Sequence, residues 1–339
     1  MKRLLCALGF FLFALAALAD EGALHVASLG DFKLDNGDTI HDCRIGYRTY
    51  GALAADRSNA VVLTSWFAGN SAGYASWVGA GKLFDSSKYF VIVIDALGDG
   101  VSSSPSNSAT QPGAQFPQFT IRDMVRSQHE LLTRELKLDH VYAVSGLSMG
   151  GMQAFQWLFT YPEFMDRAIP IVGTPKQTSY DLVLWGSELD LLQSAMNDPG
   201  GAARAMSTVA DIQTMGLETP EYIATHVKPE DAPAFIRDRR ASLSKLDPFN
   251  YMSQLRAMIS LDVYRDLGES AEAAARAIKA KVFVVVSLQD HMVNPAPARE
   301  LARLAKAEIV TLSGDCGHLA TGCEKELLQR EVWRFLGER

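Results

Sequence analysis

Two short stretches of the sequence match the pattern Gly-x-Ser-x-Gly, in which a serine hydroxyl can act as a nucleophile toward an acyl carbonyl carbon. One stretch covers residues 69–73 around Ser71, and the other covers residues 146–150 around Ser148. A catalytic triad uses a single nucleophilic serine. The elements that surround each motif must therefore decide between the two serines.

Ser148 has the surroundings that such a nucleophile needs. The apolar stretch VYAVS (141–145) predicts a strand that runs into the motif, and GMQAFQWLFTY (151–161) predicts a helix that leaves it directly. The motif glycines give room to a strained strand-to-helix turn, and the helix N-terminus favours developing negative charge. We therefore predict Ser148 as the nucleophile and the backbone N–H of Met149 as the first oxyanion donor.

Ser71 lacks a following helix. A predicted strand precedes it, but Gly79 and Gly81 interrupt the sequence that follows. Residues 66–73 are therefore interpreted as a glycine-bearing loop, with a plain turn as the alternative. In this position the loop is expected to supply the second oxyanion N–H, from Phe67 or a close neighbour.

A serine hydroxyl needs a base to accept its proton, and the base needs an acid to orient it. The strand–turn–helix motif predicts the chain order serine, acid, histidine. Asp290 follows the apolar stretch KVFVVVS (281–287), and His318 follows the predicted last strand AEIVTL (307–312). Asp290 and His318 are therefore the predicted acid and base. Asp95, which ends another predicted strand, is a weaker rival acid.

Strand and helix patterns alternate along most of the chain. Predicted strands cover residues 61–65, 89–95, 141–145, 168–172, 281–287 and 307–312, and predicted helices cover residues 121–136, 151–161, 296–306 and 324–336. This alternation predicts an α/β fold with a mostly parallel, twisted sheet and helices on both faces. Residues 25–50 predict an antiparallel pair at the sheet edge.

Residues 175–262 interrupt this alternation. They carry helical patterns separated by prolines and no convincing strand. We interpret them as a helical cap inserted between two core segments, residues 20–174 and 263–339. A cap at this point would lie over the carboxyl ends of the strands, where open α/β sheets bind ligands.

The N-terminus has the pattern of a signal peptide. Lys2 and Arg3 precede an apolar stretch from Leu4 to Leu18, and Ala17-Leu18-Ala19 has the small-x-small pattern of a cleavage site. A membrane anchor is the alternative, but the apolar stretch is shorter than the ~20 residues that span a bilayer. We expect residues 1–19 to be cleaved, leaving a periplasmic or secreted protein without a stable membrane anchor.

Export would allow a disulfide bond to form. Cys316 and Cys323 lie on either side of His318, and Cys43 is the third cysteine after the predicted signal peptide. A bond between the first two would stiffen the histidine loop. Pairing cannot be deduced from spacing alone, so a disulfide and three buried thiols both remain open.

Composition limits the classes of partner. The chain has 339 residues, 48% hydrophobic and 21% charged, with a formal net charge of −7. These values are ordinary for a globular enzyme, and the absence of a basic run argues against a nucleic-acid partner. No cysteine or histidine cluster has zinc-ligand spacing. The sequence therefore predicts no metal and no cofactor, and a small-molecule acyl substrate as the main partner.

With these residues in place, the chain resembles the homoserine O-acetyltransferase-like family of the α/β-hydrolase superfamily. The resemblance rests on GLSMGGMQAFQWLFTYPEFMDRAIPIVGTP, TIRDMVRSQHELL, KLFDSSKYFVIVIDALGDGVSSSPS, LDPFNYMSQLRAM, LQDHMVNPAPARELARL and CGHLA. It implies the α/β-hydrolase fold with a helical cap, Ser148, Asp290 and His318 as the triad, an acyl-enzyme intermediate, and a homodimer packed through the caps.

Several features depart from the acetyltransferases of that family. Leu319 follows His318, where those enzymes have an aspartate that binds the substrate amine, and an apolar side chain cannot pair an ammonium. No arginine or lysine lies between Arg204 and Lys228, where they place a carboxylate-binding arginine. The loop TSWFAGNSAG also differs, and acetyl-CoA is a cytoplasmic donor.

These departures favour an exported serine hydrolase that acts on an ester or a related acyl substrate. Two alternatives stay open. The first is an O-acyltransferase that resembles homoserine acetyltransferase, and the second is a non-catalytic binding protein on the same scaffold.

Overall fold

The computed structural model of the protein describes residues 21–268 and 270–337. The predicted signal peptide at residues 1–19 lies outside the described residues. The strands are β1 His25–Lys33, β2 Thr39–Tyr50, β3 Ala60–Thr64, β4 Phe90–Ile94, β5 Val141–Leu147, β6 Met165–Ile171, β7 Lys281–Ser287 and β8 Glu308–Leu312. They form one eight-stranded sheet in the order β1-β2-β4-β3-β5-β6-β7-β8.

The sheet is mostly parallel, as the alternation of elements predicts. Strands β1 and β2 pair antiparallel at one edge, β2 pairs antiparallel with β4, and the remaining neighbours pair parallel. The predicted edge pair and all six predicted later strands are confirmed. All five residues of β3 are buried, because helices and loops cover both faces of the sheet. A nearly continuous apolar sequence is the consequence of that double burial.

Successive residues of the central strands enter two different cores, one on each face. The helices of the hydrolase core are α1 Ile121–Glu130, α2 Met149–Thr160, α8 Ala271–Ala277, α9 Ala296–Ala305, α10 Ala320–Cys323 and α11 Lys325–Leu336. Val62 and Val144 pack in the same cluster as residues of α1, α2 and α9. Val61 and Ala143 pack in the other cluster, with residues of α11 and the segment 74–84. The predicted helix 121–136 is not uniform, because residues 131–135 after α1 form a π-helical turn.

Five further helices lie between β6 and β7, inside the predicted cap segment. They are α3 Ser179–Ala195, α4 Gly201–Leu217, α5 Pro220–His226, α6 Ala232–Leu243 and α7 Pro248–Ile259. Lys176 and Asp262, at the two ends of this insertion, form an isolated antiparallel bridge, and the Lys176 Nζ atom lies 2.7 Å from Asp262 Oδ2. The insertion therefore leaves and re-enters the core at one narrow neck.

Local sequence explains where two of these helices begin. Thr178 and Asp181 form a reciprocal capping box at the start of α3. The Asp247 carboxylate accepts hydrogen bonds from the first backbone N–H groups of α7. Within the described ranges, no helix combines the length and the apolar character needed to cross a bilayer.

Candidate active site

Ser148 lies in the turn between β5 and α2 with φ 58° and ψ −119°. A positive φ at a residue with a side chain is a strained conformation that the surrounding structure must hold. A Cβ at Gly146 would lie 2.4 Å from Thr64 Oγ1, and a Cβ at Gly150 would lie 2.3 Å from the Thr64 carbonyl oxygen. The motif glycines are therefore required because strand β3 passes directly against the turn.

His318 lies between Ser148 and Asp290. Its Nε2 atom is 2.9 Å from Ser148 Oγ, and its Nδ1 atom is 2.7 Å from Asp290 Oδ2. The side chains of His318 and Asp290 are nearly fully buried. With Nδ1–H donated to the carboxylate, Nε2 is free to accept the hydroxyl proton of Ser148, which is the arrangement of a nucleophile, a base and an orienting acid.

The Asp290 carboxylate is held by its own loop. Its Oδ1 atom accepts hydrogen bonds from the backbone N–H groups of Met292 and Val293 at 2.9 and 2.8 Å. The other oxygen is thereby turned toward His318. The structure thus brings together Ser148, Asp290 and His318, which are far apart in the sequence.

The rival acid Asp95 lies in a different cluster. Its carboxylate accepts hydrogen bonds from the backbone N–H and the hydroxyl of Ser71, with 2.9 Å between Ser71 Oγ and Asp95 Oδ2. Arg48 Nε donates to Ser71 Oγ at 3.2 Å. Ser71 is 1% exposed. It is therefore a buried structural serine between an arginine and an aspartate, and it does not line the cavity described below.

The glycines of the first Gly-x-Ser-x-Gly motif leave space for the indole ring of Trp66. A Cβ at Gly69 would lie 2.1 Å from the indole Nε1 atom, and a Cβ at Gly73 would lie 2.5 Å from the indole Cζ2 atom. The indole therefore occupies the space that side chains at 69 and 73 would need. The match to the nucleophile pattern at residues 69–73 arises from this packing.

The two predicted oxyanion donors lie near the nucleophile. Met149 is the first residue of α2, and Phe67 lines the same cavity as Ser148. Among the described residues, neither backbone N–H has a hydrogen-bond partner, whereas the neighbouring Ala68 N–H donates to Gln254 Oε1 at 3.0 Å. Two unpaired N–H groups are what an oxyanion hole requires.

Ser148 and His318 open onto a cavity of about 500 Å³ between the sheet and the cap. The lining residues are Trp66, Phe67, Ala68, Trp77, Leu147, Ser148, Val172, Gln213, Leu217, Ser242, Leu243, Leu246, Tyr251, Met258, Met292, His318, Leu319 and Thr321. None of these side chains is an aspartate, glutamate, lysine or arginine. The site therefore suits a small molecule that is apolar or neutral and polar.

A buried carboxyl group lies behind the cap side of this cavity. Glu188 on α3 is fully buried, and it accepts hydrogen bonds from Gln213 Nε2 and Tyr251 Oη, each at 2.9 Å. Burial raises the pKa of Glu188 to about 7. Sequence reasoning missed this group. Its only signal was that it is one of two acidic residues in the largely apolar stretch LVLWGSELDLL.

The histidine loop is closed by a disulfide bond between Cys316 and Cys323. This resolves the pairing that the sequence left open, and Cys43 is a buried free thiol. The Ser287 hydroxyl at the end of β7 donates to the Gly317 carbonyl oxygen at 2.6 Å. The residues around His318 are therefore tied both to each other and to the sheet.

No group of three or more histidine, cysteine, aspartate or glutamate side chains within residues 21–268 and 270–337 is placed to hold a metal ion.

Comparison with known proteins decides the family. A family model described as the alpha/beta hydrolase fold matches residues 61–321. The chain belongs to the α/β-hydrolase family. Its eight-stranded, mostly parallel sheet has the expected architecture, so the predicted fold class is confirmed.

Curated relatives fall into two groups of enzymes. A probable esterase of Corynebacterium glutamicum is 30% identical, over 88% of this chain and 90% of its own length. An ethyl acetate hydrolase of Pseudomonas veronii is 28% identical, over 92% of this chain and 94% of its own length. A homoserine O-acetyltransferase of Chlorobium chlorochromatii is 28% identical, over 96% and 98% respectively.

Among solved structures, an acetyl esterase superposes with a TM-score of 0.86 at 26% identity, covering 94% of this chain and 98% of that chain. The predicted resemblance to the homoserine O-acetyltransferase-like family is therefore confirmed, with esterases beside the acetyltransferases. The chain is an α/β-hydrolase-fold enzyme of the esterase or acyltransferase type.

Proposed function

We propose that this protein is an exported serine esterase that hydrolyses small, uncharged esters through an acyl-enzyme at Ser148. The observation that carries the proposal is the hydrogen-bonded chain from Ser148 Oγ through His318 to Asp290, which opens onto a cavity without charged lining residues. The esterases among the relatives support the same reaction class.

In the first half of the reaction, His318 Nε2 accepts the hydroxyl proton as Ser148 Oγ attacks the ester carbonyl carbon. The carbonyl oxygen becomes an oxyanion that the N–H groups of Met149 and Phe67 stabilise, each contributing about 3–4 kcal/mol. The His318 imidazolium, held by Asp290, then donates its proton to the leaving alkoxide. The alcohol departs and the acyl group stays on Ser148.

In the second half, a water molecule takes the place of the alcohol. His318 Nε2 accepts a proton from the water as its oxygen attacks the acyl carbonyl carbon. The tetrahedral intermediate collapses, Ser148 Oγ leaves and recovers its proton from His318, and the carboxylic acid is released.

The cavity wall argues for a neutral substrate. Leu319, next to His318, is 37% exposed and lines the cavity. An ammonium or carboxylate on the substrate would lose water there without gaining a charged partner, which is costly. Relatives named ethyl acetate hydrolase and acetyl esterase make short acyl groups the first substrates to test.

Acyl transfer to an alcohol is the second candidate, because homoserine O-acetyltransferases align over nearly the whole chain. It keeps the same acyl-enzyme and exchanges water for an alcohol acceptor. Product analysis with and without added alcohols separates the two. Hydrolysis is the wrong proposal if the acyl-enzyme turns over only when an alcohol is supplied.

We also propose that residues 1–19 are removed on export to the periplasm or the medium. The Cys316–Cys323 disulfide supports this, since disulfides persist in oxidising compartments. The intact mass of the mature protein tests it, with Asp20 as the expected first residue. A mass that retains the first 19 residues would contradict the proposal.

A homodimer through the caps is a further proposal. Three exposed apolar side chains on the first cap helix support it, and these are Tyr180, Leu182 and Val183. Light scattering during size-exclusion chromatography should give twice the mass of the mature chain. A Val183→Glu variant should shift this to the monomer mass, and a wild-type monomer would contradict the proposal.

The direct test of the esterase proposal is a screen of p-nitrophenyl esters of increasing acyl length with the mature protein. Activity is expected on acetate and other short acyl groups. Intact mass after brief mixing should detect the acyl group on Ser148. Failure of a fluorophosphonate to label Ser148 in the folded protein would instead favour the non-catalytic alternative.

A further inference from the structure

The loop that carries the Phe67 N–H contains a strained residue. Ala68 has φ 58°, in the left-handed region that residues with a side chain rarely adopt. This conformation costs roughly 1–2 kcal/mol and persists only where neighbouring groups hold it. Within the loop, the Gly69 N–H donates to the Trp66 carbonyl oxygen at 3.1 Å, and further contacts come from the cap.

Gln254 on cap helix α7 supplies the first of these contacts. Its Oε1 atom accepts the Ala68 N–H at 3.0 Å, and its Nε2 atom donates to the Leu97 carbonyl oxygen at 3.1 Å. The side chain is 1% exposed. Because one partner is a donor and the other is an acceptor, the amide has a single satisfactory orientation. It thereby joins the loops that follow β3 and β4.

Tyr251, one turn earlier on α7, supplies the second contact. Its ring centroid lies 4.5 Å from that of Phe67. Its hydroxyl donates to the buried Glu188, which fixes the ring from behind. Helix α7 therefore contacts the loop at two successive residues, at the Phe67 ring and at the Ala68 N–H.

We propose that Gln254 is a positioning residue that sets the orientation of the Phe67 N–H in the oxyanion hole. The proposal rests on the esterase function above. The peptide plane between Phe67 and Ala68 contains the Ala68 N–H. The preceding peptide plane, between Trp66 and Phe67, contains the Phe67 N–H that would donate to the oxyanion. Gln254 fixes the peptide plane that contains the Ala68 N–H, and Tyr251 fixes the Phe67 ring. Together these contacts restrict the backbone rotation that would turn the Phe67 N–H away from the oxyanion.

A misplaced oxyanion donor weakens binding of the transition state more than binding of the substrate. Gln254→Met keeps the length of the side chain and removes both hydrogen bonds. We expect it to lower kcat on p-nitrophenyl acetate by about 10- to 100-fold with KM changed less than about twofold. Ser148→Ala is measured in parallel.

The matched control is Gln156→Met on α2. Gln156 is also a buried glutamine, but its side chain donates to Thr160 on the same helix and lines a different cavity. Gln156→Met should keep kcat within about twofold of the wild-type value. Equal losses of kcat in the two variants would overturn the proposal, since both would then reflect general destabilisation. A Gln254→Met protein with the kcat of the wild type would also overturn the proposal.

Gln254→Glu is the conservative rescue. A protonated carboxyl can accept from the Ala68 N–H and donate to the Leu97 carbonyl oxygen, whereas an ionised one cannot donate. The ratio of its kcat to that of wild type should therefore fall as the pH rises. If Gln254→Met does not fold, the pH profile of Gln254→Glu tests the proposal instead. A ratio of the two kcat values that does not change with pH would overturn the proposal.

The two failures are distinguishable. If Ser148→Ala still hydrolyses the ester at the wild-type rate, the proposed function is wrong. If Ser148→Ala is inactive and Gln254→Met is fully active, the function stands and the positioning role is wrong.

Discussion

The hydroxyl of Tyr251 donates a hydrogen bond to the carboxyl group of Glu188 across 2.9 Å, so a buried acid in the cap holds part of the cavity wall. Gln213, which also lines the cavity, donates to the same carboxyl group. Three cap helices therefore meet at one titratable group immediately behind the cavity at Ser148.

This arrangement predicts how the stability of the protein depends on pH. Burial raises the folded-state pKa of Glu188 from 4.5 to about 7, so the folded protein holds this proton more tightly than the unfolded chain. The resulting stabilisation is fully present below the unfolded pKa and is lost as the pH rises through about 7. Glu188→Gln should remove this dependence, a change on the order of 3 kcal/mol in the free energy of unfolding.

Urea unfolding at pH 5 and pH 8 measures the effect. The wild type should lose more stability between these values than Glu188→Gln does. Glu326→Gln, an exposed glutamate on α11, is the control and should follow the wild type. Identical pH dependence of Glu188→Gln and wild type would show that Glu188 does not titrate in this range.

Asp290→Asn tests the orienting acid. The amide keeps the shape of the side chain but presents an N–H to His318 Nδ1, which favours the tautomer that cannot accept the serine proton. We expect kcat to fall by about 10⁴-fold with little loss of stability. Asp315→Asn, three residues before His318, should keep kcat near wild type. A small effect of Asp290→Asn would mean that another group orients His318.

The Cys316–Cys323 disulfide should stabilise the histidine loop. Closing a loop of this length contributes about 2–3 kcal/mol in the chain-entropy treatment. Dithiothreitol should therefore lower the Tm of the wild type and leave the Cys316→Ser/Cys323→Ser double variant unchanged. The double variant should already have the lower Tm. If dithiothreitol shifts both proteins equally, the effect does not come from this bond.

Leu319→Asp tests the preference for neutral substrates. A carboxylate beside His318 would have to lose water when an apolar ester enters the cavity, so kcat/KM on p-nitrophenyl butyrate should fall by about tenfold or more. Leu288→Asp replaces another exposed leucine that does not line the cavity, and it should have little effect. An unchanged kcat/KM for Leu319→Asp would show that the substrate does not contact this wall.

Local features made much of the site predictable. The Ser148 turn is encoded within a few residues, by an apolar strand, two glycines and an immediate helix. The positions of Asp290 and His318 followed from the ends of the last two predicted strands, because chain order and strand order are linked in this type of sheet. The central strands were predictable for another reason, because burial on both faces of the sheet leaves continuous apolar stretches.

Contacts between distant segments were not predictable. Ala68 and Gln254 are 186 residues apart, and Glu188 and Tyr251 are 63 residues apart. No local sequence pattern indicates a contact between residues that are so far apart in the chain. The role of Ser71 was missed for a related reason, since its partners are Arg48 on β2 and Asp95 directly after β4, and only the fold brings them to it.

A comparison of Ser148→Ala with Ser71→Ala distinguishes the two serines as nucleophiles. Both serines lie in a Gly-x-Ser-x-Gly motif, but only Ser148 contacts His318, and Ser71 is hydrogen-bonded to Asp95. Ser71→Ala should lose about 1–2 kcal/mol of stability and keep most of its esterase activity.

The decisive measurement is intact mass after mixing each variant with p-nitrophenyl acetate, together with the rate of p-nitrophenol release. We expect an acetyl adduct and turnover for Ser71→Ala, and neither an adduct nor turnover above background for Ser148→Ala. An acetylated, active Ser148→Ala protein would show that Ser148 is not the nucleophile.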